Sequence, residues 1–184
     1  KFISKTEVKE ERNVEGTEYV ATLIEFTVSE DNERVDLEAC LEVADRANTT
    51  KAECLEAIRT ITKSLGKSNV KIVLNTLQLL ETMCKNCNMR FLYELNNKKL
   101  VDALLKFVQR RRDRTKYGAK APKSSNPLKT DAEDKILYLI QLWADTFMMH
   151  QAEFRNIHDA YRALRKDGVQ FPEREANQKF MINF

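Results

Sequence analysis

Apolar residues along the chain recur at helical spacing, and runs of polar and breaking residues interrupt them at intervals that define eight segments. The first, Glu18 to Val28, places Val20, Leu23, Ile24 and Thr27 on one face and ends in the acidic turn SEDNER. Asp36 can cap a second helix, DLEACLEVADRA. Thr50-Lys-Ala-Glu53 has the form of a capping box and heads a third that stops near Leu65 and Gly66. Ser68 opens the fourth, NVKIVLNTLQLLETMCKNC, followed by a short MRFLYEL and a longer LVDALLKFVQ. Thr130-Asp-Ala-Glu133 is a second capping box before DKILYLIQLWADTFMM, and FRNIHDAYRALRK ends at Gly168. The chain has only four glycines and three prolines. Because Gly costs a helix interior about 1 kcal/mol and Pro about 3, their placement between the periodic segments predicts long helices and no sheet.

The fourth segment carries the most detail. Val70, Val73, Leu77, Leu80, Cys84 and Cys87 form one apolar seam, and Ile72, Thr76, Leu79 and Met83 form a second beside it. Lys71, Asn75, Gln78, Thr82 and Lys85 make a third stripe, polar throughout, that is expected to face water or a partner. A helix apolar on two sides suits a superhelix better than a simple amphipathic bundle.

Composition narrows the class. A chain of 184 residues, 42% hydrophobic and 32% charged, suits one domain with a real core, and no apolar run reaches the length of a membrane span. The start, KFISKTEVKEERNVEG, mixes four basic with four acidic residues, lacks a signal-peptide block, and begins without Met, as an excised fragment would. Four cysteines in such a chain are expected to be thiols in a reducing compartment.

Charge is uneven. Residues 110 to 130 hold Arg110, Arg111, Arg112, Arg114, Lys116, Lys120, Lys123 and Lys129 against Asp113, a net of +7, whereas the whole chain carries +3. A mildly acidic body therefore bears one cationic loop, rich in Ser, Pro and Gly and expected to be mobile. Each cation near an anionic leaflet contributes about 1 kcal/mol, so Arg110, Arg111, Arg112, Arg114 and Lys116 are candidates for holding a membrane surface. Nucleic acid would be drawn to the same charges, and a merely solvated loop explains them too.

Little points to catalysis. Cys84 and Cys87 have CxxC spacing, but zinc needs a second pair, and Cys40, Cys54, His150 and His158 are scattered. A redox pair sits at a helix N-terminus; this one ends a helix, where the dipole disfavours thiolate. Trp143 lies among Ile136, Leu139, Ile140 and Phe147 at core spacing, and His158 has no acid or nucleophile beside it in sequence. No Gly-rich phosphate loop, HExxH or GxSxG occurs, and no metal or cofactor is expected.

Three motifs in order, LETMCKNCNMRF, LIQLWADTF and YRALRKDGVQFP, resemble the VHS domain of endosomal sorting adaptors, most closely the target-of-Myb branch. The resemblance covers roughly Glu18 to Pro172. It implies an all-α, right-handed superhelix of eight helices. It divides the chain into a flexible N-terminal segment 1–16, the domain over 17–172, and a linker 173–184 to a downstream region. The implied role is that of a non-enzymatic adaptor in vesicular protein transport, cytoplasmic and peripheral to endosomal or Golgi membranes, binding ubiquitin or ubiquitinated cargo through its second and fourth helices.

In that family an exposed Trp and a Leu one turn later meet ubiquitin's apolar patch. Here Leu37 takes the Trp position and Leu41 the Leu position, with Lys71, Asn75 and Gln78 as the fourth-helix contribution. Losing the aromatic anchor weakens the expected affinity, and Leu37 and Leu41 would also suit a core. The GGA branch instead grips acidic dileucine signals between its sixth and eighth helices. In NNKKLVDALLKFV, Lys98 and Lys99 offer charge, but Asp102 would repel the ligand, which argues against that mode. The alternative of a different class is a phosphoinositide-membrane or nucleic-acid binding module using the cationic loop, nucleic acid being the less expected.

Overall fold

The computed structural model describes residues 5–109, 111–113 and 126–173, with side chains described from Val14 onward. The ordered elements are α1 (Lys5–Thr27), α2 (Leu37–Thr49), α3 (Lys51–Leu65), α4 (Val70–Asn86), α5 (Met89–Glu94), α6 (Lys98–Phe107), α7 (Pro127–Thr146), a 3-10 turn (Met148–His150) and α8 (Arg155–Lys166). All eight expected segments are helical. Gln109 and residues 111–113 are helical as well, and no strand occurs among the described residues.

Helix starts follow from side chains that accept the orphan amides of the first turn. Asp36 accepts from Glu38 and Ala39, and Thr50 accepts from Glu53 at 3.1 Å while its hydroxyl donates to the Glu53 carboxylate at 2.8 Å. Asn69, Asn88, Asn97 and Asn126 do the same for α4, α5, α6 and α7. Two expected starts are therefore corrected. Asn69, not Ser68, caps α4. The Thr130 capping box is not used, because Asn126 caps the helix and Pro127, whose missing N–H costs nothing at the first helical position, begins it four residues earlier. At the other end of the chain α8 stops on Gly168, whose φ of 76° lets its own amide and that of Val169 turn back to Arg165 and Leu164.

The first helix also departs from expectation. It begins at Lys5, not Glu18, and runs straight through Gly16. That glycine does not end an element; it makes room. A Cβ at Gly16 would lie 2.8 Å from Glu53 Oε1, a carboxylate held on α3 by Arg46 from α2. The helix-propensity cost of Gly is accepted where three helices converge on a buried ion pair.

The helices stack as a superhelix. α1 lies on α2 and α3, α2 and α3 on α4, α4 on α7, and α7 on α8, with α6 bridging α3 and α8. α4 is thus covered from two sides, by α2 and α3 and by α7. Its seam residues Val73, Leu77, Leu80 and Cys84 and its second-stripe residues Leu79 and Met83 are all buried. Trp143 and Phe147 sit in the same core, and His158 is buried with its Nε2 3.1 Å from the Phe147 carbonyl, a structural histidine.

Candidate partner-binding site

The α2–α4 pair is built from side chains that pin one helix beside the other. Lys71 donates to the Glu33 carbonyl at 2.8 Å, the Cys87 sulfur meets the Ala44 carbonyl at 3.8 Å, and Asn48 reaches Asn86 and Asn88. Residue numbers rise together along both helices, so α2 and α4 run in the same direction, as α3 must return the chain between them. Gln78, exposed, lies between the levels set by Lys71 and Cys87. Opposite it, the stretch from Glu33 to Ala44 holds Leu37 and Leu41.

The two leucines are surface residues. Cys40, Val43, Ala44 and Ala47 form the buried face of α2, whereas Leu37 is 62% and Leu41 39% exposed. The alternative in which they belong to the core fails, because an i, i+4 pair shares one face and both side chains are open to solvent. Glu38 and Glu42 flank them, and the Tyr19 hydroxyl of α1 donates to Glu42.

The polar stripe of α4 is not uniform. Asn75 is 3% exposed, and its amide donates to the Ser29 carbonyl at 2.8 Å and the Val28 carbonyl at 3.4 Å. α1 ends at Thr27, and its end is held by side-chain amides as well as by the backbone turn: Asn75 donates to the carbonyls just past the helix and Asn32 to those of Phe26 and Thr27. Asn75 therefore does not face a partner as expected. Lys71, half-buried and bonded to Glu33, also holds the α1–α2 connection. Of the three α4 residues named from sequence, Gln78 alone presents a free surface.

Behind the face, Glu81 links α4 to α7 through Lys135 and to its own helix through Lys85. Burial pushes its carboxyl up, but the two ammonium groups outweigh burial and hold it below the ordinary value of 4.5.

The cysteines have no such activation. Burial pushes the thiols of Cys40 and Cys54 up to about 11 and that of Cys87 to about 12, and raises Cys84 further, so the reactive thiolate is disfavoured at each. The cationic loop divides. Arg111 pairs with Asp134 and Arg112 with Asp167, so these two guanidinium groups brace α7 and the end of α8. Arg110, Arg114 and Lys116 lie outside the described residues. On α6, Lys98 grips Asp102 at 2.6 Å.

The superhelix agrees with the fold that the three sequence motifs imply, and comparison with known proteins gives the family. The VHS domain family model matches residues 15–168. The chain belongs to the VHS domain family. Human TOM1-like protein 2 is 33% identical over 133 residues, which are 72% of this chain and 24% of that protein. Vacuolar protein sorting-associated protein 27 of Candida albicans is 28% identical over 151 residues, 79% of this chain and 18% of its own length. This VHS chain thus spans between about a sixth and just over a quarter of the length of the curated relatives it matches. Among solved structures, the VHS and FYVE tandem domains of Hrs, described as a protein involved in membrane trafficking and signal transduction, align with a TM-score of 0.66 at 21% identity. The alignment covers 87% of this chain and 66% of that one. At that identity the likeness concerns the fold. No helix among the described residues is long and apolar enough to cross a membrane.

Proposed function

We propose that this VHS domain is a non-enzymatic adaptor module in vesicular protein transport, recruited to endosomal or Golgi membranes, and that it binds ubiquitin or ubiquitinated cargo through Leu37, Leu41 and Gln78. The observation that carries this reading is the exposure of Leu37 and Leu41 on a helix whose remaining large apolar side chains are buried. Two leucines one turn apart offer a small apolar ridge, and removing it from water against a matching patch is the main source of affinity for a modest interface. Gln78 supplies a neutral amide at the ridge's edge, and Glu38 and Glu42 favour a partner with positive charge around its apolar patch. Lys71 and Asn75 act from behind, by holding the α1–α2 connection against α4.

A titration of the isotope-labelled domain with ubiquitin tests the reading. The amides of Leu37, Leu41 and Gln78 shift together and saturate. Silence at those three positions, with the domain folded and ubiquitin in large excess, overturns the assignment.

A further inference from the structure

A second surface, on the flank of α1 that borders α2, uses none of Leu37, Leu41 and Gln78. The Tyr19 hydroxyl donates to Glu42 of α2, and the Arg46 guanidinium lies 5.3 Å from the centre of the Tyr19 ring, which fixes the stripe of α1 that borders α2. Phe26 comes seven residues later, two helical turns along the same stripe, and is 70% exposed. It is the one exposed phenylalanine among the described residues: Phe91, Phe147 and Phe154 are buried, and Phe107 and Phe171 partly so. Asn32 holds its carbonyl at 2.8 Å and leaves the ring to solvent.

A single exposed apolar side chain means little by itself. The charge around this one is what sets it apart. Residues 14–49 carry ten carboxylates against Arg34 and Arg46, a net of −8 in a chain whose total is +3. All ten belong to exposed residues. Among the described residues one of them is in an ion pair, Glu25 with Lys63, and Arg46 is already committed to the buried Glu53 of α3. Glu42 and, one turn before it, Glu38 share the flank of α2 turned to the aromatic stripe, and Glu15 and Glu18 border that stripe on α1.

Crowded carboxylates repel one another, and a partner that brings cations removes that repulsion while its apolar side chains cover Phe26 and the Tyr19 ring. An anionic leaflet or a nucleic acid would be repelled here. The anchors are two helical turns, about 10 Å, apart, with acids on both sides. A helix with apolar residues at i and i+7 bordered by Lys and Arg matches both features, whereas an extended segment turns alternate side chains away and finds no sheet edge to pair with. We propose that the α1–α2 flank docks a basic amphipathic helix of a partner protein, with Phe26 and Tyr19 as the apolar anchors and Glu15, Glu18, Glu38 and Glu42 as the framing charges. The site does not rest on the ubiquitin reading.

The probe is a synthetic helix with leucines at i, i+3 and i+7 between flanking lysines, titrated into the isotope-labelled domain beside a scrambled peptide of the same composition. The helix shifts the amides of Tyr19 and Phe26, and its affinity falls as salt rises. Phe26→Ser weakens it roughly tenfold or more, and Leu55→Ser, which removes an exposed leucine of α3, keeps wild-type binding. Both variants melting at the wild-type temperature excludes unfolding as the cause. The proposal is overturned if the helix does not bind, if the scrambled peptide binds as well, if Phe26→Ser binds like wild type, or if both variants weaken equally. Two other occupants would overturn it as well: ubiquitin, if it shifts Tyr19 and Phe26 and displaces the helix, and a second copy of the chain, if sedimentation shows self-association that Phe26→Ser abolishes. Leu37→Asp leaves helix binding unchanged, so failure here and failure of the ubiquitin reading are told apart.

Discussion

The α2–α4 face and the cleft that Lys67, Lys99, Lys106 and Lys129 line are built on opposite plans. The first is an apolar ridge on a single helix, two exposed leucines one turn apart, while Cys40, Val43, Ala44 and Ala47 form the buried face of α2. The second is a set of like charges drawn from three separate segments, the α3–α4 turn, α6 and the start of α7. A ridge of that kind can be read from local spacing once the helix is known. A cleft cannot, because its charges meet only when α6 is laid across the end of α3. The ridge differs from the α1–α2 flank in what it asks of a ligand: removal of apolar surface from water in one case, neutralisation of crowded carboxylates as well in the other. Salt should therefore weaken binding beside Phe26 and leave binding to the ridge nearly untouched.

The largest effect is expected from Leu37→Asp. Placing a carboxylate in the middle of the ridge should cost ubiquitin binding about 2 kcal/mol or more, measured by titration, while the melting temperature stays at the wild-type value because Leu37 is exposed. A large drop in stability instead would mean that the leucine supports the fold and that the ridge is no separate surface. Next comes Asn75→Ala, which leaves the Ser29 and Val28 carbonyls without their buried donor. Denaturant unfolding should show a loss of about 2 kcal/mol, with ubiquitin still shifting Leu37 and Leu41 in the fraction that is folded. Should the variant lose affinity without losing stability, Asn75 would belong to the contact and not to its support.

A smaller gain should follow Leu37→Trp. Restoring an aromatic anchor at the head of the ridge should tighten ubiquitin binding by about 1 kcal/mol, measured by titration. Equal or weaker ubiquitin binding would show that this face has adapted to a different partner. The smallest effect concerns Glu81, whose carboxyl is held below 4.5 by Lys135 and Lys85. A folded-state value below the unfolded one makes the contribution present at neutral pH and lost as pH falls below about 4.5 and through the folded value. Glu81→Gln should flatten that acid limb of the stability curve, and an unchanged limb would show that the α4–α7 bridge carries no net stabilisation.

Much of the fold was legible along the chain. The apolar periodicity marked eight helices, and Asp36 and Thr50 act as the caps their positions predict. The misreadings share a cause. Thr130-Asp-Ala-Glu133 satisfies the capping pattern but Asn126 and Pro127 come first, so the pattern had two solutions and local sequence did not rank them. Gly16 looked like a boundary because a glycine between a polar stretch and an apolar one usually is. Its use is a close approach to Glu53, which lies on another helix.

The polar stripe of α4 shows the same limit at the candidate site. Lys71, Asn75 and Gln78 share one face of the helix, but the helix faces different neighbours along its length. Near its start the C-terminal end of α1 covers Asn75, and further on Gln78 meets solvent. The cationic stretch was equally ambiguous, since Arg111 and Arg112 turned out to have carboxylate partners on α7 and beyond α8.

By itself, then, the sequence determined the helices, the buried seams and the family, because periodicity and capping depend on residues within one or two turns of each other. Tertiary structure alone decided which polar side chains are free. A charge or an amide reads the same in sequence whether it meets water, an orphan carbonyl or an acid on a distant helix. Only the packing of the helices against one another settles which of these it meets, leaving Leu37, Leu41 and Gln78 exposed on one side while Asn75 and Lys71 turn to the α1–α2 connection.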